Sequence, residues 1–339
     1  MNMTEESESY ICKGTSYPFL KDPPKDYIIY ETELNYKKHR NINTNDIIDY
    51  DKSKLKHEGK QEGKQEGKHE GKQEGKQEGK QEGKLNKELD MDTLEYRLYK
   101  CKKSGNKVLD LSCLELKTLP DKLPIELKYL FISSNEIDSI DDISYLRDLK
   151  IFDCSNNNLR YLPKFPEFIK EISCRSNKLQ NINILRDCNF LKRLDCSHNH
   201  ITTLPNISAI EILRCSYNNV EHIQEYKSLI KLDCRNNNVK HIESMNNLKM
   251  LECDKNKLTL IKKFPNLVCL YCNSNEIVEL LDLNKIEIIY CIKNNIEKLP
   301  YFYTLKELVC DTTLEKISSR YEVVDALENE WKVRMLYFL

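Results

Sequence analysis

From residue 108 onward the apolar and polar positions follow a pattern that is neither helical nor simply alternating. Around Asn199 the apolar residues are Leu191, Leu194, Cys196, Ile201 and Leu204, and the same unit, L-x-x-L-x-C-x-x-N-x-L-x-x-L, recurs along the chain. Its asparagine falls at Asn135, Asn157, Asn177, Asn199, Asn218, Asn237, Asn256, Asn275 and Asn294, first at spacings of 20 to 22 and then at a constant 19. Two degenerate units flank these. Upstream, Leu109, Leu111, Leu116 and Leu119 keep the pattern with Leu114 in the asparagine place; downstream, Leu305, Leu308 and Cys310 keep it with Thr313 there. Residues 108–314 thus hold about eleven repeats. An internal period of this length marks a stacked array. Counted from the first apolar residue, positions four and six share one side of a short strand, and positions one, nine, eleven and fourteen return the chain over the same core. One turn cannot bury its own apolar side, whereas turns stacked ~4.7–4.9 Å apart form a parallel strand ladder with a continuous core behind it. The pattern predicts an α/β repeat solenoid with one short parallel strand per 19–22-residue repeat. Each asparagine amide is expected to bond backbone groups of the bend, within and between turns.

The flanks differ in character. An amphipathic stretch starting near Asp92-Thr93, with Leu94, Leu98 and Cys101 at helical spacing and a stop at Ser104-Gly105, predicts a capping helix within residues 85–107. In residues 315–339, Ile317, Tyr321, Val324, Trp331 and Met335 fit one helical face. They predict a second capping helix over the open end of the core, or a docking helix for a partner. Residues 57–84 are seven copies of HEGK or QEGK holding seven of the nine glycines. A helix there would stack like charges at i,i+4 and lose ~1 kcal/mol per glycine, which predicts a disordered tether. At ~5–6 Å × √n it spans roughly 30 Å. Residues 1–56 are polar and aperiodic, and no fold is assigned to them.

The repeat unit resembles the leucine-rich-repeat family, and LYKCKKSGNKVLDLSCLELKTLPDKLP is similar to the helix-then-LDLS opening of its intracellular members. The resemblance covers roughly residues 92–315. The Asn- and Lys-rich, Gly-poor repeats behind a tetrapeptide expansion are similar to leucine-rich-repeat proteins of giant DNA viruses. The resemblance implies a leucine-rich-repeat horseshoe and a binding role. It brings no shared catalytic residues.

Composition narrows the function. With 53 basic and 54 acidic residues, the near-balanced charge removes the driving force for general nucleic-acid binding. No apolar run approaches the ~20 residues needed to span a bilayer, so no membrane contact is expected. Fourteen cysteines without an export signal in the first twenty residues point to a reducing intracellular compartment, the host cytoplasm or a virion if the source is viral. Phosphate-binding, dinucleotide, kinase and nucleophile-elbow motifs are absent, and no glycine follows Gly105. The sequence therefore reads as non-catalytic, with no cofactor.

Nine cysteines occupy position six: Cys154, Cys174, Cys196, Cys215, Cys234, Cys253, Cys272, Cys291 and Cys310. Side-by-side thiols at ~4.8 Å lie beyond the Cβ separation disulfides prefer, and a straight column does not converge four ligands on zinc. They read as reduced core residues. His222 and His241, one repeat apart, and His198 and His200 lack a third ligand at suitable spacing and read as turn residues, so no metal is expected.

The candidate function lies on the outward strand positions three, five and seven. Position five runs Asp110, Phe131, Asp153, Ser173, Asp195, Arg214, Asp233, Glu252, Tyr271, Tyr290 and Val309, changing from charged to apolar toward the C-terminal end. Tyr271 and Tyr290, with Ile288 and Ile292 beside them and Glu252, Asp254 and Asp233 as an acidic rim, form the candidate site for a protein partner on the concave strand face. The competing reading is that the C-terminal tail folds over them. A self-assembling virion component and a regulatory subunit holding an enzyme are the alternatives to an adaptor.

Overall fold

A computed structural model describes residues 93–335, apart from 104, 282, 298, 301, 312–320 and 328–329, with side chains described up to residue 311. The chain opens with helix α1 (Leu94–Lys103), capped where Thr93 Oγ1 accepts the Tyr96 N–H at 3.3 Å. At its other end Gly105 takes φ +69°, the left-handed conformation that lets its own N–H and that of Asn106 close on the carbonyls of Lys102 and Cys101. Leu94 and Leu98 pack on the core and Cys101 is buried in it, and Arg97 lies 3.4 Å from Asp110.

Short strands follow: β1 (Val108–Asp110), β2 (Tyr129–Phe131), β3 (Ile151–Asp153), β4 (Glu171–Ser173), β5 (Arg193–Asp195), β6 (Ile212–Arg214), β7 (His222–Ile223), β8 (Lys231–Asp233) and β9 (His241–Ile242). The series continues with β10 (Met250–Glu252), β11 (Leu260–Ile261), β12 (Cys269–Tyr271), β13 (Glu279–Leu280), β14 (Ile288–Tyr290), β15 (Glu307–Asp311), β16 (Tyr321–Leu327) and β17 (Glu330–Met335). One sheet runs β1-β2-β3-β4-β5-β6-β8-β10-β12-β14-β15-β17-β16, and its first eleven strands are parallel, joined by ten circuits of the chain. Every pairing matches equivalent repeat positions, as in Leu232↔Leu251 and Leu251↔Leu270. The repeat length sets the register. Two small parallel pairs, β7-β9 and β11-β13, stack the return segments.

The core is the column of positions four and six. Leu109, Leu130, Phe152, Ile172 and their successors to Leu308 are buried, as are Leu111, Ile132 and the nine cysteines of position six. Burial pushes the thiols of Cys196, Cys215, Cys234, Cys253, Cys272 and Cys291 well above their ordinary range.

The asparagines stitch the turns together. Asn218 Nδ2 donates to the carbonyls of Cys215 in its own turn (3.1 Å) and Cys196 in the preceding one (3.0 Å), while its Oδ1 accepts the Ile201 N–H at 2.9 Å. The same three contacts recur at Asn135, Asn157, Asn177, Asn199, Asn237, Asn256, Asn275 and Asn294. The residue before each asparagine has φ between +53° and +58°, although none is glycine: Ser134, Asn156, Ser176, His198, Tyr217, Asn236, Lys255, Ser274 and Lys293. That left-handed step aims the following asparagine inward, so the ladder sustains a backbone conformation costly to a side chain.

The C-terminal end departs from expectation. Where the spacing of Tyr321, Val324, Trp331 and Met335 predicts a helix, the chain forms strands β16 and β17. β17 pairs antiparallel with β15, Leu308↔Val333 and Cys310↔Trp331, and β16 pairs antiparallel with β17. Two causes favour strands. Trp331, Val333 and Met335 alternate with Lys332 and Arg334 at period two, and β15 presents an open edge of N–H and C=O groups that an added strand satisfies and a helix does not. Residues 1–56, residues 57–84 where a tether is expected, Ile317 and Thr313 lie outside the described residues.

Candidate interaction surface on the strand face

In several repeats the position-seven amide is tied to the residue at position five. In the parallel ladder the N–H of position six donates to the next strand's position five and that of position eight to the next position seven, which leaves the position-seven N–H to a side chain. In several repeats a position-five aspartate supplies the acceptor: Asp110 to Ser112 N–H (2.9 Å), Asp153 to Ser155 (3.0 Å), Asp195 to Ser197 (3.1 Å) and Asp233 to Arg235 (3.2 Å). These carboxylates are backbone caps rather than free surface charges.

In the late repeats the task moves to position seven of the preceding strand. Asp254 Oδ1 accepts the Asn273 N–H at 2.7 Å, and Asn273 Oδ1 accepts the Ile292 N–H at 2.9 Å. Position five is released, and there stand Tyr271 and Tyr290. Their rings lie 5.1 Å apart, tilted by 37°, on the paired strands β12 and β14. Tyr290 Oη donates to Glu307 Oε1 at 2.6 Å, which fixes its ring. Both tyrosines and Ile292 are half-buried, and Ile288, two residues before Tyr290 on the same strand, is 9% exposed.

The expected acidic rim is not a free one. Asp233 and Asp254 are buried. Glu252 meets Lys231 Nζ at 2.8 Å and Arg235 at 3.0 Å, and Arg235 also holds Asp233 at 2.8 Å. Glu252 and Asp233 are thereby balanced by Lys231 and Arg235, while Asp254 is engaged with a backbone amide. The described part of the tail extends the sheet beside β15. Sequence reasoning missed the supporting roles of Asp254 and Asn273, although the repeated D-x-S of Asp153 and Asp195 signals the cap they replace.

Of the two histidine pairs, the structure is seen to align one. His222 and His241 are register partners in β7 and β9. His198 stacks on Tyr217 at 4.2 Å and 14°, and burial, with Arg175 nearby, holds it below the usual imidazole range. Among the described residues no group of three or more His, Cys, Asp or Glu is placed to hold a metal ion.

No family model matches the sequence, and no curated protein matches it. Solved structures do resemble it. YopM from Yersinia enterocolitica superposes with a TM-score of 0.53 at 22% identity, over 67% of this chain and 56% of that one. A leucine-rich-repeat protein of Leptospira interrogans gives 0.49 at 24% identity, over 62% and 74%. The functional domain of InlJ from Listeria monocytogenes, which includes a cysteine ladder, gives 0.45 at 21% identity, over 66% and 60%. The chain spans a little over half the length of the YopM chain. The fold is a leucine-rich-repeat solenoid.

Proposed function

We propose that this protein is a non-catalytic interaction module that holds a protein partner against the strand face of its late repeats, with Tyr271 and Tyr290 as anchors. The observation that carries the reading is the ring pair itself. Two tyrosines 5.1 Å apart occupy position five on adjacent strands, where the Asp254 and Asn273 side chains take over the capping of the position-seven amides, with buried Ile288 beside them. Large rigid side chains with half-exposed faces and a fixed backbone are what interfaces use as anchors, because little entropy is lost on binding. Compensated charges at Glu252, Asp233, Lys231 and Arg235 suit a polar rim that confers specificity rather than attraction at a distance.

Affinity capture from the native source, comparing the wild-type chain with the Tyr271→Ala/Tyr290→Ala variant by quantitative mass spectrometry, tests the proposal. A protein recovered by the wild type and depleted with the folded variant is the expected result. Equal recovery by both refutes it.

A further inference from the structure

A second surface lies on the opposite half of the array, at the edge where the chain enters the strands. The residue just before the strand is lysine in each of the first five repeats: Lys107, Lys128, Lys150, Lys170 and Lys192 precede β1 to β5. In the later repeats the same position holds Glu211, Ile230, Lys249, Val268, Glu287 and Lys306. Lys192 is paired to Glu211 and Lys306 to Glu287, both within one repeat of each other. Among the described residues Lys107, Lys128, Lys150 and Lys170 form no ion pair. At the ladder spacing these four span about 14 Å.

Two residues before this column the later repeats build an outer ladder. Ser228 Oγ donates to the Ser208 carbonyl at 3.2 Å, Asn247 Nδ2 to Lys227 at 2.8 Å, and Asn266 Nδ2 to Asn246 at 2.7 Å. Repeats four and five place Phe168 and Phe190 there instead, 45% and 46% exposed. Their rings touch at 5.1 Å, and Lys150 Nζ lies 5.2 Å above Phe168, which joins the aromatic pair to the lysine column. Phenylalanine forgoes a hydrogen bond the fold makes elsewhere and leaves apolar surface in water, for which the ring pair and the Lys150 contact return only part.

We propose that this edge docks an acidic, aromatic-containing segment of a partner protein, its carboxylates on Lys128, Lys150 and Lys170 and its apolar side chain on Phe168 and Phe190. Charge complementarity selects the partner. The column is interspersed with Glu126, Asp148, Glu167 and Glu171, of which Glu171 is paired to Arg193 at 2.7 Å. A polyphosphate strand carries charge at every unit and meets these carboxylates head-on, whereas a peptide places its acids only opposite the lysines.

The test is fluorescence anisotropy with the full chain. The probe is a labelled peptide of alternating Glu and Phe, measured beside a labelled oligothymidylate of equal charge and a peptide with Gly in place of Phe. The peptide binds, salt weakens it, and Lys150→Glu/Lys170→Glu and Phe168→Ser/Phe190→Ser each cost about tenfold or more in affinity, while Tyr271→Ala has no effect. Circular dichroism confirms that the variants fold, and Lys150→Gln/Lys170→Gln, the milder charge removal, replaces any that does not. Absence of binding, equal binding by the variants, or oligothymidylate binding as tightly as the peptide overturns the proposal.

Discussion

Removing one central rung of the asparagine ladder, by Asn218→Ala, isolates the force that joins neighbouring turns. Asn218 is 7% exposed, and its Oδ1 is the acceptor for the Ile201 N–H. Each carbonyl it meets is served twice: Cys215 by Asn218 and Asn237, Cys196 by Asn199 and Asn218. Alanine therefore strips one amide of its acceptor and leaves two carbonyls with one asparagine bond each. An unsatisfied buried amide costs ~1–3 kcal/mol and each lost carbonyl bond ~0.5–1.5 kcal/mol, so a total of about 3 kcal/mol is expected. Because the residue before it, Tyr217, sits at φ +56° to aim this side chain, part of that conformation loses its purpose as well. Asn294→Ala provides the control. Asn294 is only half-buried, so its loss should cost about half as much. Urea unfolding followed by circular dichroism, with unchanged m value, measures both. A loss below ~1 kcal/mol at Asn218, or equal losses at the two sites, refutes the reasoning.

Other outcomes follow from the same geometry. Cys234→Ala should cost on the order of 1 kcal/mol in urea unfolding and Cys234→Asp several times more, because the site is fully buried and offers a carboxylate no partner. Burial raises Cys188 to about 11 and Cys269 and Cys310 to about 12 from an ordinary 9.0. A raised folded pKa means that stability is intact below pH ~9 and falls as pH rises toward the folded values, which urea midpoints at pH 7, 9 and 10 check; a midpoint that holds steady counts against buried thiols. Lys255, at φ +53°, should accept glycine with no loss or a gain of up to ~1 kcal/mol and lose more than that as valine; thermal melts that rank them otherwise remove strain from the account.

What could be read in advance was whatever the repeat enforces. The spacing of Asn135 to Asn294 and the leucine and cysteine columns place the eleven parallel strands of the main sheet, because a period with one buried stripe leaves a single register. Helix α1 followed from Leu94, Leu98 and the Gly105 stop. The C-terminal hairpin did not, since Tyr321, Val324, Trp331 and Met335 also fit a helical period, and the arbiter is the open edge of β15, a tertiary fact. The tyrosine pair was legible from one 19-residue step. Its acidic rim was misread because Asp233, Glu252 and Asp254 look like surface charge until the position-seven amides and Arg235 are seen to occupy them. Phe168 and Phe190 drew no notice in the sequence, since their significance lies in the outer ladder they interrupt.

Binding through Tyr271 and Tyr290 on the late strand face is tested most directly by the affinity of the captured partner, by calorimetry, for each single alanine variant, with melting temperatures taken in parallel. A loss of ~2 kcal/mol, about thirtyfold in Kd, is expected at each tyrosine with the fold's melting point nearly unchanged. Variants that bind as well as the wild type, or that lose binding only in step with their melting point, would contradict it.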